Sequence, residues 1–241
     1  MVHSSASIDR SVASGSNCAA GSRSKLIRAV AGEAWGYYSD AVKVLTERQR
    51  YSSDELRELE TKIVQICYSQ NAYGCGRQSL RRRLAYDTVN QAPSVTRMES
   101  LLQLADWEVL ASHARRNRVG YEAVLDAYQE AYATLASDDA GRASVEALFA
   151  PEIPVVLPTF APNPLVSRPT SSSSGGYIDV AFDVTKYGRA EHVDILDTTT
   201  NAPREAKKAL VSTIFRSAFR PRVVDGHVAD AARVVVRYYV D

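Results

Sequence analysis

The sequence predicts an α+β protein whose two kinds of structure are segregated along the chain. An all-helical N-terminal part leads through a Pro/Ser-rich joint into a small β-β-α-β unit. Three observations predict this. Apolar residues recur at intervals of three and four through residues 25–150. Six of the nine prolines fall between Pro151 and Pro169, which excludes regular helix there. Beyond Gly176 the apolar period changes to two, then to a helical spacing, and the chain closes on a β-prone stretch rich in Val and Tyr. The expected divisions are a flexible Ser/Ala-rich segment at 1–24, a helical interaction domain at 25–150, a linker at 151–176 and a C-terminal domain at 177–241.

Within the helical part, Ser52-Ser53-Asp54-Glu55 is a start signal ahead of the stripe Leu56, Leu59, Ile63 and Ile66. Thr96 and Glu99 have capping-box spacing and precede Leu101, Leu102, Leu104, Trp107 and Leu110. Val119-Gly120 interrupts the pattern, and Tyr121, Val124, Leu125, Tyr128, Tyr132 and Leu135 restart it. In the linker, Pro151, Pro154, Pro158, Pro162, Pro164 and Pro169 predict a semi-rigid extended spacer, and Ser171 to Ser174 with Gly175-Gly176 a flexible joint. Val155, Val156, Leu157 and Phe160 are apolar and predict that part of the spacer packs along the helices.

The first strand of the C-terminal unit runs from Tyr177 to Val184, with Ile178, Val180, Phe182 and Val184 on one face and Asp179 and Asp183 on the other. Tyr187-Gly188 supplies a turn. Ala190 to Asp197 is the second strand, with Val193 and Ile195 expected to face inward. Asn201 and Pro203 mark a helix start, and Ala206, Leu210 and Ile214 give that helix an apolar face for the sheet. The closing strand spans about Ala232 to Val240 and is rich in Val and Tyr.

The 241 residues carry a net charge of +1, and the balance holds on both sides of residue 150, so no global field selects nucleic acid or an anionic membrane. No apolar run approaches the ~20 residues of a membrane helix. Met1 to Ser24 lacks the apolar core of a signal peptide, so the chain is either cytoplasmic or missing a targeting segment. Cys67 and Cys75 bracket a helix end and turn. They read either as a short-loop disulfide in an oxidising compartment or as two free thiols with Cys67 on a buried face. Cys18 reads as incidental.

His3, His113, His192 and His227 stand outside any metal-ligand spacing. The chain has no Gly-rich phosphate loop, nucleophile elbow or Cys–His pattern. No enzyme, no cofactor and no metal site are therefore expected. Arg77 with Arg81-Arg82-Arg83, and Arg115-Arg116 with Arg118, lack interleaved exposed aromatics and read as solvated helix faces, which argues against nucleic acid.

Two family resemblances emerge. Trp107-x-x-Leu110-Ala111 with Val124-x-x-x-Tyr128-x-x-Ala131 resembles one tetratricopeptide helix hairpin, with the spacing between its halves off by one residue and no second clear copy. Val184-Thr185-Lys186-Tyr187-Gly188-Arg189-Ala190, followed by Val193-Asp194-Ile195-Leu196, resembles the first hairpin of TonB C-terminal domains. Ala206-Lys207-Lys208-Ala209-Leu210, Ala218-Phe219-Arg220-Pro221 and Asp225-Gly226 resemble that family's helix, its aromatic-Arg-Pro corner and the turn before its last strand. The likeness covers about a quarter of the chain. It departs at Ser217, where the corner commonly carries Trp.

The TonB resemblance implies a periplasmic, cell-envelope protein of Gram-negative type that binds other proteins and takes part in TonB-dependent outer-membrane transport. It implies that Arg233, Val234, Val235, Val236, Arg237 and Tyr238 of the closing strand receive a receptor segment by β-augmentation. Homodimerisation through the same strand is the other use of such an edge. The rival expectation is a helical-repeat scaffold, cytoplasmic or periplasmic, whose C-terminal unit only caps or dimerises it without energy transduction.

Overall fold

Helix-forming sequence with an apolar stripe fills the N-terminal half, and β-branched and aromatic alternation fills the C-terminal part. The computed structural model describes residues 32–34, 36–37, 39–41, 43, 53–115, 121–137, 145, 147–161, 165, 176–199 and 203–240. Among the described residues, 32–34, 36–37, 39–41 and 43 are helical, four long helices follow, α1 (Ser53–Ser69), α2 (Tyr73–Val89), α3 (Ser94–Arg115) and α4 (Tyr121–Ala136), and 145 and 147–149 are helical as well. Then follow β1 (Val156–Leu157), β2 (Gly176–Val184), β3 (Ala190–Thr198), α5 (Arg204–Arg216), β4 (Ala218–Phe219), β5 (Arg222–Val224), β6 (His227–Ala229) and β7 (Ala231–Val240). Among the described residues, no helix is long and apolar enough to cross a membrane.

The chain divides into two compact units at Gln70/Asn71. In the first unit, α1 begins at Ser53 with Asp54 and Glu55 in its first turn, where carboxylates favour the helix dipole. It buries Leu56, Ile63, Val64 and Cys67. Ser52 lies outside the described residues.

The second unit, Asn71–Asp241, joins α2–α4 to all seven strands. In α2 the small residue Gly76 lets the Trp107 ring of α3 approach; a Cβ there would lie 2.0 Å from the indole. The indole N–H donates to the Tyr73 carbonyl at 2.9 Å, and Arg77 grips Glu108 through two guanidinium nitrogens. Thr96 is not a cap: α3 begins two residues earlier, at Ser94, so Thr96 sits inside the first turn.

Part of the proline-rich stretch is ordered by pairing. Val156–Leu157 joins Phe219–Ala218 as an antiparallel ladder, and Phe160 stacks on Trp107 at 6.4 Å between ring centroids. The joint at 171–175 lies outside the described residues.

The main sheet has the antiparallel order β3-β2-β7. The helix α5 packs across β3, and Ile178, Val180, Phe182, Ile214, Phe219 and Tyr238 form its core, with Leu210, Val234 and Val236 against them. In chain order β2 and β3 precede α5, and three short strands lie between α5 and β7. Two of these, β5 and β6, form their own hairpin, closed by Asp225 (φ 50°) and Gly226 (φ 78°). Positive φ at both centres is the two-residue turn that an Asp-Gly pair favours. This turn therefore closes β5–β6, not the entry to β7. At the start of α5, Pro203 stands in the capping position with no side-chain cap bond, and Asn201 lies outside the described residues.

Candidate functional site

The closing strand β7 pairs with β2 on one side only; among the described residues no strand lies on its other side. The backbone phase of this edge follows from the ladder. Tyr177 uses its carbonyl and N–H toward Thr199, on the β3 side. Adjacent residues of a strand point their polar groups to opposite sides, so Ile178, Val180 and Phe182 bond toward β7. Their partners in register are Tyr238, Val236 and Val234. The N–H and C=O groups of Val235 and Arg237 consequently point away from the sheet.

The six residues expected on this strand divide accordingly. Val234, Val236 and Tyr238 turn their side chains into the core. Burial pushes the Tyr238 phenol up to about 12. Val235 stands 57% exposed on the outer face. Arg237 is not a loose surface charge. Two of its nitrogens donate to the two Asp179 oxygens, both at 2.7 Å, and its guanidinium lies 3.9 Å from the Tyr177 ring centroid. The Asp179 carboxyl is held below its usual range by this hydrogen bonding with Arg237, and the Arg237 guanidinium is raised in turn.

Arg233 has φ 45°, and its N–H donates to Asp183 at 2.5 Å. His192 on β3 (φ 49°) meets the other Asp183 oxygen at 2.7 Å. One β2 carboxylate thus ties two irregular points on the flanking strands. The Arg233 N–H and then His192 hold Asp183 below the usual carboxylate range, and Asp183 raises His192. Val193 packs against the core as expected. Ile195 pairs with core-facing Val180 and so lies on the α5 face of the sheet, but on the edge strand β3 it stays 39% exposed.

The aromatic-Arg-Pro corner has a role that sequence reasoning did not assign. Arg220 donates to both Asp106 oxygens, at 3.0 and 2.7 Å, and Tyr128 donates to the same carboxylate at 2.7 Å. The Arg220 and Asp106 side chains are only 9% and 7% exposed. The corner backbone is fixed as well: Arg220 N–H donates to Val155 C=O, and Phe219 N–H to Gly188 C=O, both at 2.9 Å. Gly188 (φ 72°) must be glycine, since a Cβ would lie 2.2 Å from the Phe219 carbonyl oxygen. Burial, then the Asp106 charge, lift Tyr128 well above the usual phenol range. For Arg220, burial disfavours the charge but Asp106 outweighs it, and the guanidinium is raised.

Cys67 and Cys75 are each disulfide-bonded. Among the described residues no group of three or more His, Cys, Asp or Glu is placed to hold a metal. No family model matches the chain, and no curated protein matches its sequence.

Proposed function

We propose that this chain is a TonB-like protein-binding protein of the cell envelope, whose C-terminal part captures an extended partner segment along β7. In this reading the partner is an outer-membrane receptor segment or another envelope protein, and the compartment is the periplasm. One observation carries the reading: β7 ends the sheet with the backbone groups of Val235 and Arg237 directed outward, among the described residues without a strand to receive them. Such an edge is a template for a further strand, in which main-chain bonds supply affinity and alternate side chains supply selectivity. The half-cystines Cys67 and Cys75 favour an oxidising compartment. The helical half serves as an interaction domain of tetratricopeptide-like style.

The test pairs two prolines. Val235→Pro deletes an outward N–H and should leave the fold intact while abolishing capture of an extended receptor-derived peptide. Val234→Pro deletes an N–H of the β2–β7 ladder and should disrupt the sheet itself. Circular dichroism reads folding and anisotropy of the labelled peptide reads binding. A folded Val235→Pro protein that binds like wild type refutes the edge as the site. Loss of a dimer in that variant, with no peptide binding by wild type, would assign the edge to self-association.

A further inference from the structure

On the opposite edge of the same sheet, α5 and β3 enclose a groove of about 530 Å³. Its floor is apolar: Ile195 from β3, and Val211 and Phe215 from α5, with Phe215 54% exposed. This is a second apolar stripe on α5, separate from the Ala206/Leu210/Ile214 face that the sheet requires. The rim is cationic, formed by Arg204, Lys207, Lys208 and Arg216, and no acid lines the groove among the described residues. Glu205 reaches Lys208 at 3.7 Å, an exposed contact in the first turn, and Arg216 donates to Ser212 at 2.5 Å. Among the described residues the lining thus carries four cations and no acid.

We propose that this groove is a second protein-docking site, which takes an extended acidic segment carrying a central apolar side chain. The layout of the charge selects this occupant. Arg204 and Arg216 stand at the two ends of α5, about 18 Å apart at 1.5 Å per residue. A phosphate or lipid headgroup is best held by cations converging on one point, whereas these are strung along a line. A line of that length matches about five or six residues of extended chain at ~3.3 Å each. The apolar floor supplies the anchor that a purely electrostatic contact lacks. Arg204 also occupies the first turn, where a cation opposes the helix dipole, so helix stability does not account for its position.

The test uses the full chain and a fluorescein-labelled peptide, Glu-Glu-Asp-Leu-Phe-Asp-Glu-Glu. Wild type should bind it, and binding should weaken as salt rises from roughly 50 to roughly 300 mM. The double variant Lys207→Glu/Lys208→Glu, whose side chains line the open groove, should weaken binding by about tenfold or more. Phe215→Ser should weaken it by about tenfold with the salt dependence retained. Val235→Pro should change nothing, which separates this site from the β7 edge. Equal binding by wild type and the charge-reversal variant overturns the proposal. So does salt-insensitive binding, and so does binding to anionic phosphatidylglycerol vesicles in place of the peptide.

Discussion

The sharpest expected outcome concerns Asp106→Asn. The substitution keeps the shape of the side chain but removes its charge, leaving the Arg220 guanidinium buried at 9% exposure without a counter-ion and depriving Tyr128 of a charged acceptor. Breaking a buried ion pair from one side costs roughly 3–5 kcal/mol, and Asn, which retains one carbonyl acceptor, should fall near the lower end. A domain the size of Asn71–Asp241 loses about 2–4 °C of melting temperature per kcal/mol, so about 3 kcal/mol predicts a drop of roughly 6–12 °C. Arg220→Met alone should cost a similar amount, because it strands the carboxylate instead. The double variant Asp106→Leu/Arg220→Met should recover most of the loss, since a well-packed apolar pair removes both desolvation costs. Urea titration of wild type, Asp106→Leu, Arg220→Met and their double variant closes the cycle and gives the coupling energy directly. The reasoning is refuted if Asp106→Asn lies within about 0.5 kcal/mol of wild type and the coupling is near zero.

Two more outcomes can be checked. Burial, aided by the nearby Arg189 charge, holds His113 below the usual imidazole range, although carbonyls of Tyr187 and Gly188 act the other way. The unfolded chain therefore takes up a proton first as pH falls through about 6.5, and stability present at neutral pH should decline below it by at most ~1.4 kcal/mol per pH unit. His113→Gln should remove that slope, while the opposite contribution of the raised His192 remains in both proteins and cancels in their difference. Mass spectrometry of non-reduced protein should find one peptide linking Cys67 to Cys75 and an alkylatable Cys18. Free thiols at positions 67 and 75 after periplasmic expression would overturn the pairing.

What could be read from the sequence was what repeats along it. The nine-residue strand β2 declared itself by alternation, the ten-residue β7 by its Val and Tyr content, and α5 by its four-residue spacing. The strands β1 and β4 have two residues each, too few to show a period, and they exist because each supplies the partner of the other. Ile195 lies on the expected face, opposite Val180, yet is only partly covered, because alternation reports a face and not how much structure lies over it. The Asp106 pair could not be derived, because its partner lies 114 residues away. A signal was nevertheless present: Asp106 interrupts the run Leu101 to Leu110 between Ala105 and Trp107, where a solvated carboxylate has no place. The groove beside α5 was hidden in the same manner, since Val211 and Phe215 look like core residues until the sheet is seen to face the other side of the helix.

The separation between Asp106 and Arg220 also predicts an order of events during folding. The hairpin of α3 and α4 closes over a short connection and can assemble quickly, because local contacts carry little loop entropy. At that stage Asp106 and Tyr128 still face water, and the carboxylate keeps its hydration. Only when the chain has returned through the β2–β3 hairpin and α5 does the Phe219-Arg220-Pro221 corner arrive and expel that water. The same arrival buries Phe219 and pairs β1 with β4, so the guanidinium meets its carboxylate in the step that fixes the sheet to the helices. A variant that speeds or slows corner arrival should shift the refolding rate while leaving the early helical signal unchanged.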